Sequence, residues 1–356
     1  MHFDDGQIPE EYTKYTGRKV VFIILSLAAL LGSLLVSVSL GAADMSLGDV
    51  ARSLFGLSES RRFDAIIWNI RLPQALAAIV AGSALAVSGA VMQSILRNPL
   101  GSPFTLGISN AAAFGAALSV MLQGGGMLAL GGSDLNSVWA PYITTAAAFI
   151  FSLLAAVMII IISRIRGATP EVMVLSGIAM GSLFTSGTMF LQFFADDVEL
   201  ASMVYWTFGD TARASWGELG IAAAVTILVS IYFFANAWNY NAVDTGDETA
   251  RSLGVPVNRI RIIGMLTASL LTAVVVSFLG IIGFVGLVVP HMVRRIIGAD
   301  HRFLLPASVI GGGLLLLLSD TAARLVLSPQ VVPVSILTAF LGAPIFIYLI
   351  IRGYRH

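Results

Sequence analysis

Between residues 72 and 96 the chain has no Asp, Glu, Lys or Arg, and uncharged apolar stretches of this kind recur along it. A helix of about 20 apolar residues crosses the roughly 30 Å hydrocarbon layer of a bilayer. A long stretch with no charge to place in water has few other stable homes. Comparable runs occupy residues 20–43, 98–133, 141–163, 172–195, 219–242, 262–293, 303–319 and 325–351. With 57% hydrophobic and only 11% charged residues, the chain of 356 lacks the polar surface a water-soluble globule needs. The fold class that follows is an all-α polytopic membrane protein, with the lipid bilayer as its solvent.

The first run follows Lys14, Arg18 and Lys19 and ends at Gly41-Ala42-Ala43, which resembles a signal cleavage site. Its apolar core is too long for a signal, so it reads as a retained first helix behind a cytoplasmic segment, residues 1–19. Residues 98–133 divide into a helix and a Gly-rich loop (Gly124, Gly125, Gly126, Gly131, Gly132). Residues 262–293 would make about 48 Å of straight helix, too long for one crossing. Gly280, Gly283, Gly286 and Pro290 place a bend there, giving a seventh helix and a short or broken eighth. Broken helices are tolerated where they are buried in protein or line a cavity. The count is about ten transmembrane helices in one permease domain, residues 20–356. The longest hydrophilic interruption of its second half is a cytoplasmic segment at 244–261.

Charge placement orients this arrangement. With both termini in the cytoplasm, the inner segments hold fourteen of the twenty Lys and Arg and nine of the twenty Asp and Glu. Adding or removing one span inverts the later loops and destroys that positive-inside bias. The net charge of zero is then a cancellation across a cell membrane, basic within and acidic without.

The absences are also informative. No Gly-x-x-x-x-Gly-Lys-Ser/Thr loop is present, so the chain does not bind ATP by that route. Ion-coupled carriers place ionisable groups at mid-membrane, and the span interiors here have essentially none. An ion-coupled secondary carrier is therefore the alternative rather than the first reading. Without cysteine, and with four scattered histidines (His2, His291, His301, His356), no metal-ligating set or catalytic residue stands out. What remains is a pore-forming subunit driven by a separate engine.

Several strings carry a more specific signal. Arg71-Leu72-Pro73-Gln74 leads into the small-residue run 82–93, then Arg97-Asn98-Pro99-Leu100 and Leu106-Gly107-Ile108-Ser109. Later come Gly280-Ile281-Ile282-Gly283-Phe284-Val285-Gly286, Val289-Pro290-His291, Asp300-His301-Arg302, Asp320-Thr321-Ala322-Ala323-Arg324 and Leu341-Gly342-Ala343-Pro344. In this order they resemble the FecCD family, the type II ABC importer permeases for iron(III) chelates, haem and vitamin B12.

The resemblance implies a ten-helix permease, not an enzyme, that binds no cofactor of its own. Its partners would be a second copy of itself, two P-loop ATPase subunits that bind the ATP, and an extracytoplasmic substrate-binding protein; nucleic acid has no part. It implies ATPase coupling through Gly246, Asp247, Glu248, Arg251, Leu253 and Gly254. Docking of the binding protein falls to Arg71 and Arg324. Gln74 stands where the motif has a second arginine, so the outer ion-pair network is expected to differ, with Arg61 and Arg62 as nearby replacements. Helix five lines the family's path, which makes Thr169, Pro170 and Glu171 gate residues and Ser182, Thr185, Ser186 and Gln192 path residues.

Each assignment has a plainer counterpart. The 244–261 segment can be an ordinary solvated loop, Arg71 an interface anchor, and Arg324 the partner of Asp320 four residues earlier. The glycines of helices two and five suit close packing, as do the polar residues of helix five. His291 beside Pro290 reads as structural.

Overall fold

A computed structural model describes residues 10–41, 45–57, 60–123, 140–328 and 330–353. Its helices are α1 (Glu10–Ser39), α2 (Leu47–Leu54), α3 (Arg61–Ile66), α4 (Leu72–Ile95), α5 (Ile108–Gln123), α6 (Ala140–Ile165), α7 (Pro170–Phe194) and α8 (Asp197–Thr207). They continue as α9 (Trp216–Ala235), α10 (Ala237–Asp244), α11 (Asp247–Ser252), α12 (Val257–Leu279), α13 (Val285–Ile297), α14 (His301–Leu325) and α15 (Val334–Gly353).

Among the described residues, seven helices are long and apolar enough to cross a membrane: α1, α3 running into α4, α6, α7, α9, α12 and α14. The shorter α5 and α15 and the half-helix α13 occupy the other expected spans, so ten positions are filled approximately as the sequence implies. The expected Gly-rich loop at 124–133 lies outside the described residues.

Several boundaries differ from expectation: α1 starts at Glu10 rather than residue 20, α14 runs on to Leu325 rather than 319, and α15 starts at Val334 rather than residue 325. The second span starts at Arg61 rather than residue 72, because a π turn at Ile67–Arg71 joins α3 to α4 without a loop. The sixth ends at Ala235, where Asn236 leaves helical backbone (φ −99°, ψ 9°), donates back to Tyr232 C=O through its side chain, and α10 starts afresh at Ala237. Pro290 lies inside α13, not at the bend. The bend itself is at residues 280–284, where Gly280 (φ 80°) and Phe284 (φ 66°) take left-handed backbone. Asp210 N–H donates to Leu279 C=O (2.8 Å) and Phe208 bridges Ile281, so the break is backed by protein.

α4 is the central helix. Its span is 83% buried, against 11% for α1, which lies on the rim. Small residues let its neighbours approach to backbone contact. A Cβ on Gly82 would fall 2.1 Å from Gly312 C=O of α14, and one on Gly89 would fall 1.8 Å from Gly286 C=O of α13. The C-terminus of α4 lies at the end that carries the 244–261 segment, called the near end below; its N-terminus lies at the far end.

Candidate functional site

At the near end the chain leaves α10 at Asp244 and turns into α11. Gly246 has φ 119° and ψ 151°, a conformation open essentially to glycine alone, and Gly254 has φ 82°. These two bracket a helix whose inner residue, Ala250, is fully buried, while Glu248, Arg251 and Leu253 face outward. Leu253 is 67% exposed, an apolar tip just beyond two exposed opposite charges.

Arg261, one turn into α12, is the hub beneath this surface. Its side chain is 1% exposed, and it reaches three separate elements. Nε donates to Ile95 C=O at the end of α4 (2.8 Å), Nη1 to Ala168 C=O just before α7 (3.1 Å), and Nη2 to Asp247 Oδ1 of α11 (2.8 Å). Arg97 and Arg251 stand 3.9 and 4.0 Å from the same carboxylate. Burial pushes the Asp247 carboxyl up, but the Arg261 hydrogen bond and the charges of Arg261, Arg251 and Arg97 outweigh it and hold it below the usual range. Thr169 caps α7 by accepting from Val172 N–H, Pro170 occupies the first helical position and Glu171 the first turn. Thr169, Pro170 and Glu171 line one cavity of about 630 Å³ with Gly246, Asp247 and Glu248. The three residues expected at the gate thus share one wall with Gly246, Asp247 and Glu248 of the coupling set, and Arg261 ties Asp247 to Ala168, the residue just before Thr169.

Arg261 itself entered the sequence reading only as a loop charge. The available signal was its place at the head of an uncharged run, where a cation needs partners.

The far end collects Arg71, Arg324 and Gln74, but not as a free docking face. Arg71 is 4% exposed and donates from Nη1 to Val38 C=O (3.0 Å) and Ser39 C=O (2.8 Å). Arg324 donates to Leu40 C=O (3.3 Å), Ser37 C=O (3.3 Å) and Ser37 Oγ (2.7 Å). Both guanidinium groups therefore cap the C-terminus of α1, where unsatisfied carbonyls and the helix dipole favour positive charge. The plainer counterpart for Arg324 is present: its Nε lies 3.1 Å from Asp320 Oδ2.

Gln74 is buried and donates to Asp320 Oδ1 (2.9 Å), and Thr211 donates to the same oxygen. It completes an internal cluster rather than weakening an outer one. Arg61 and Arg62, by contrast, are exposed.

Because the sequence has no cysteine, this cap can be probed by a single introduced thiol. In a Val38→Cys background, where position 38 is 1% exposed, Arg71→Ala is expected to speed labelling by a water-soluble maleimide roughly tenfold or more. That follows from losing charged hydrogen bonds of about 1.5–3 kcal/mol. An unchanged rate would show that α1 is held elsewhere.

Along α7, Leu175, Ile178, Ser182, Ser186, Met189 and Phe193 are exposed and fall on one helical face. Thr185, half-buried at the edge of this stripe, accepts from Asn110 Nδ2 of α5 (3.1 Å), and Gln192 is half-buried. Ser182 and Ser186 are thus within the stripe, with Thr185 on its border.

The sequence model of the FecCD transport family matches residues 29–352. A Methanocaldococcus jannaschii protein named for an ABC transporter permease is 51% identical over 98% of this chain and 99% of its own length. The hemin transport system permease protein HmuU of Yersinia pestis is 39% identical, covering 90% of this chain and 93% of the relative. Among solved structures, one described as a metal-chelate type ABC transporter in an inward-facing conformation superposes with a TM-score of 0.79. It shares 29% identity and covers 93% of this chain and 98% of that one.

Proposed function

The chain belongs to the FecCD transport family, and on that premise we propose that it is the membrane-spanning subunit of an ATP-driven importer of a bulky metal chelate. The cargo class is ferric siderophore, haem or cobalamin. Two copies pair across the uncovered α7 stripe, and the path runs between them by alternating access. The near end faces the cytoplasm, in keeping with its basic loops, and each copy seats one ATPase on α11. The binding protein docks at the far end, where Arg71 and Arg324 hold the end of α1, and Arg61 and Arg62 supply exposed charge.

The observation that carries this reading is the near-end arrangement. An exposed apolar residue, Leu253, caps a helix that Arg261 joins to the end of α4 and to Ala168, just before α7. A push on α11 is thereby a push on the helix that lines the path. Serines at mid-helix on the α7 face suit a surface that meets a polar passage rather than lipid tails.

The test is Leu253→Asp, assayed for ATP-dependent uptake in proteoliposomes holding the chain, its ATPase and its binding protein. Loss of a central anchor costs about 2 kcal/mol or more, so uptake is expected to fall roughly thirtyfold while the thermal midpoint of the isolated chain stays put. Glu248→Ala with Arg251→Ala should give a smaller loss. Uptake that persists after the ATPase is left out overturns the proposal in favour of an ion-coupled carrier.

A further inference from the structure

We propose that α14, backed by α4, is the rod that links events at the two ends, and that Asp244 and His301 are the positioning residues that fasten it to the α11 surface. The inference rests on the ATPase seating just proposed.

α14 has 25 residues, about 37 Å of helix, enough to reach from one end to the other. Its first residue, His301, is fully buried. The ring lies 2.9 Å by Nε2 from Asp244 Oδ2, while its Nδ1 has no partner among the described residues. Among those residues the Asp244 bond is the polar contact of the ring. Asp244 is the last residue of α10, two positions before Gly246. Its other oxygen accepts from Ser94 Oγ of α4 (2.7 Å). Asn241, one turn earlier on α10, accepts from His301 N–H (2.8 Å) and donates to Asp300 Oδ1 (3.0 Å). The approach to α11 is thus bound to α14 and α4 together.

Pro306 removes one hydrogen bond from the first half of the rod and Gly311, Gly312 and Gly313 follow it, so the rod relies on its backing. Gly82 and Gly312 bring the backbones of α4 and α14 into contact there, with only the first carbons of Ala86 and Leu316 beside them. At the far end the same helix presents Asp320 and Arg324, which hold Gln74 of α4, Thr211 and the end of α1. A displacement entering at Asp244 leaves at α1, carried by packed elements with polar fasteners at each end.

The experiment uses the full complex with its ATPase, with a spin label on an introduced Leu327→Cys, an exposed site just beyond α14. The wild-type background is expected to change its label-to-label distance when Mg²⁺-ATP and vanadate are added. His301→Leu should hydrolyse ATP within about twofold of wild type without the binding protein, yet lose both the distance change and most of the stimulation by the binding protein. His301→Gln, whose amide N–H reaches the Nε2 position, should restore both.

If His301→Leu does not assemble, His301→Asn keeps a polar side chain but falls short of Asp244, and the same losses are expected. A full distance change in either uncoupled variant overturns the proposal. A wild-type complex that shows neither ATP-dependent uptake nor movement overturns the transport reading instead, so the two failures are distinct.

Discussion

Arg261→Ala is expected to reduce ATP-driven uptake to background and to destabilise the chain by about 3 kcal/mol. Removing one member of a buried ionic cluster costs about 3–5 kcal/mol, and the lower figure applies because the Asp247 side chain is 24% exposed. The loss has two sources. The carbonyls of Ile95 and Ala168 lose their donor, and α11 loses its tie to α4 and α7. Arg261→Lys should rescue little, since one ammonium group cannot serve three acceptors set around a planar guanidinium.

A pH signature separates this from a general packing defect. Asp247 titrates below the usual carboxylate value in the folded chain, so its contribution is present above about pH 4, the unfolded value, and is lost as pH falls through the lower folded one. Wild type should show that acid loss, and Arg261→Ala should show much less of it. Thermal unfolding in detergent between pH 3 and 7 measures both. Equal acid dependence in the two proteins would mean that Arg261 does not govern Asp247.

The second large effect is expected from a single methyl group. Gly89→Ala puts a carbon 1.8 Å from Gly286 C=O, and Gly82→Ala puts one 2.1 Å from Gly312 C=O. Overpacking a core commonly costs about 1–3 kcal/mol, and these sites belong at the upper end because the obstacle is backbone, which cannot rotate aside. Each variant should lower the thermal midpoint and the yield of monodisperse protein, and both together should abolish folding. Gly220→Ala is the control: a Cβ there meets nothing within 4 Å, and alanine is the better helix former. If Gly89→Ala unfolds at the same temperature as Gly220→Ala, α4 and α13 are not in the contact described.

The spans were legible because hydrocarbon thickness is a stringent ruler and few residues in the runs break the pattern. The bend at 280–284 was legible for the same reason: a run too long to cross straight must turn, and its glycines mark where. The start of the second span was not. Arg61, Arg62 and Asp64 read as loop charges, whereas the helix simply continues out of the apolar layer and carries them with it.

The coupling residues are picked out by their resemblance to the family's motif, and two of them, Gly246 and Gly254, are where the backbone takes positive φ. The motifs single out the two far-end arginines together, but their engagement with α1 is not legible there, since a helix C-terminus 32 residues upstream of Arg71 leaves no trace in the motif. Gln74 is the clearest instance. Alone it reads as a missing charge; beside Asp320 it is an amide donor in a buried cluster.

The α4–α14 seam has a consequence for how the protein is made. Gly82 emerges from the ribosome some 230 residues before Gly312, an interval of about 10 to 45 s at ordinary rates of synthesis. Throughout it the face of α4 that carries Gly82 waits for α14, while α9 and α12 can already pack on its other sides. The α4–α14 contact is therefore among the later ones to form, and the bilayer, or an insertion factor within it, must shelter that face until α14 arrives.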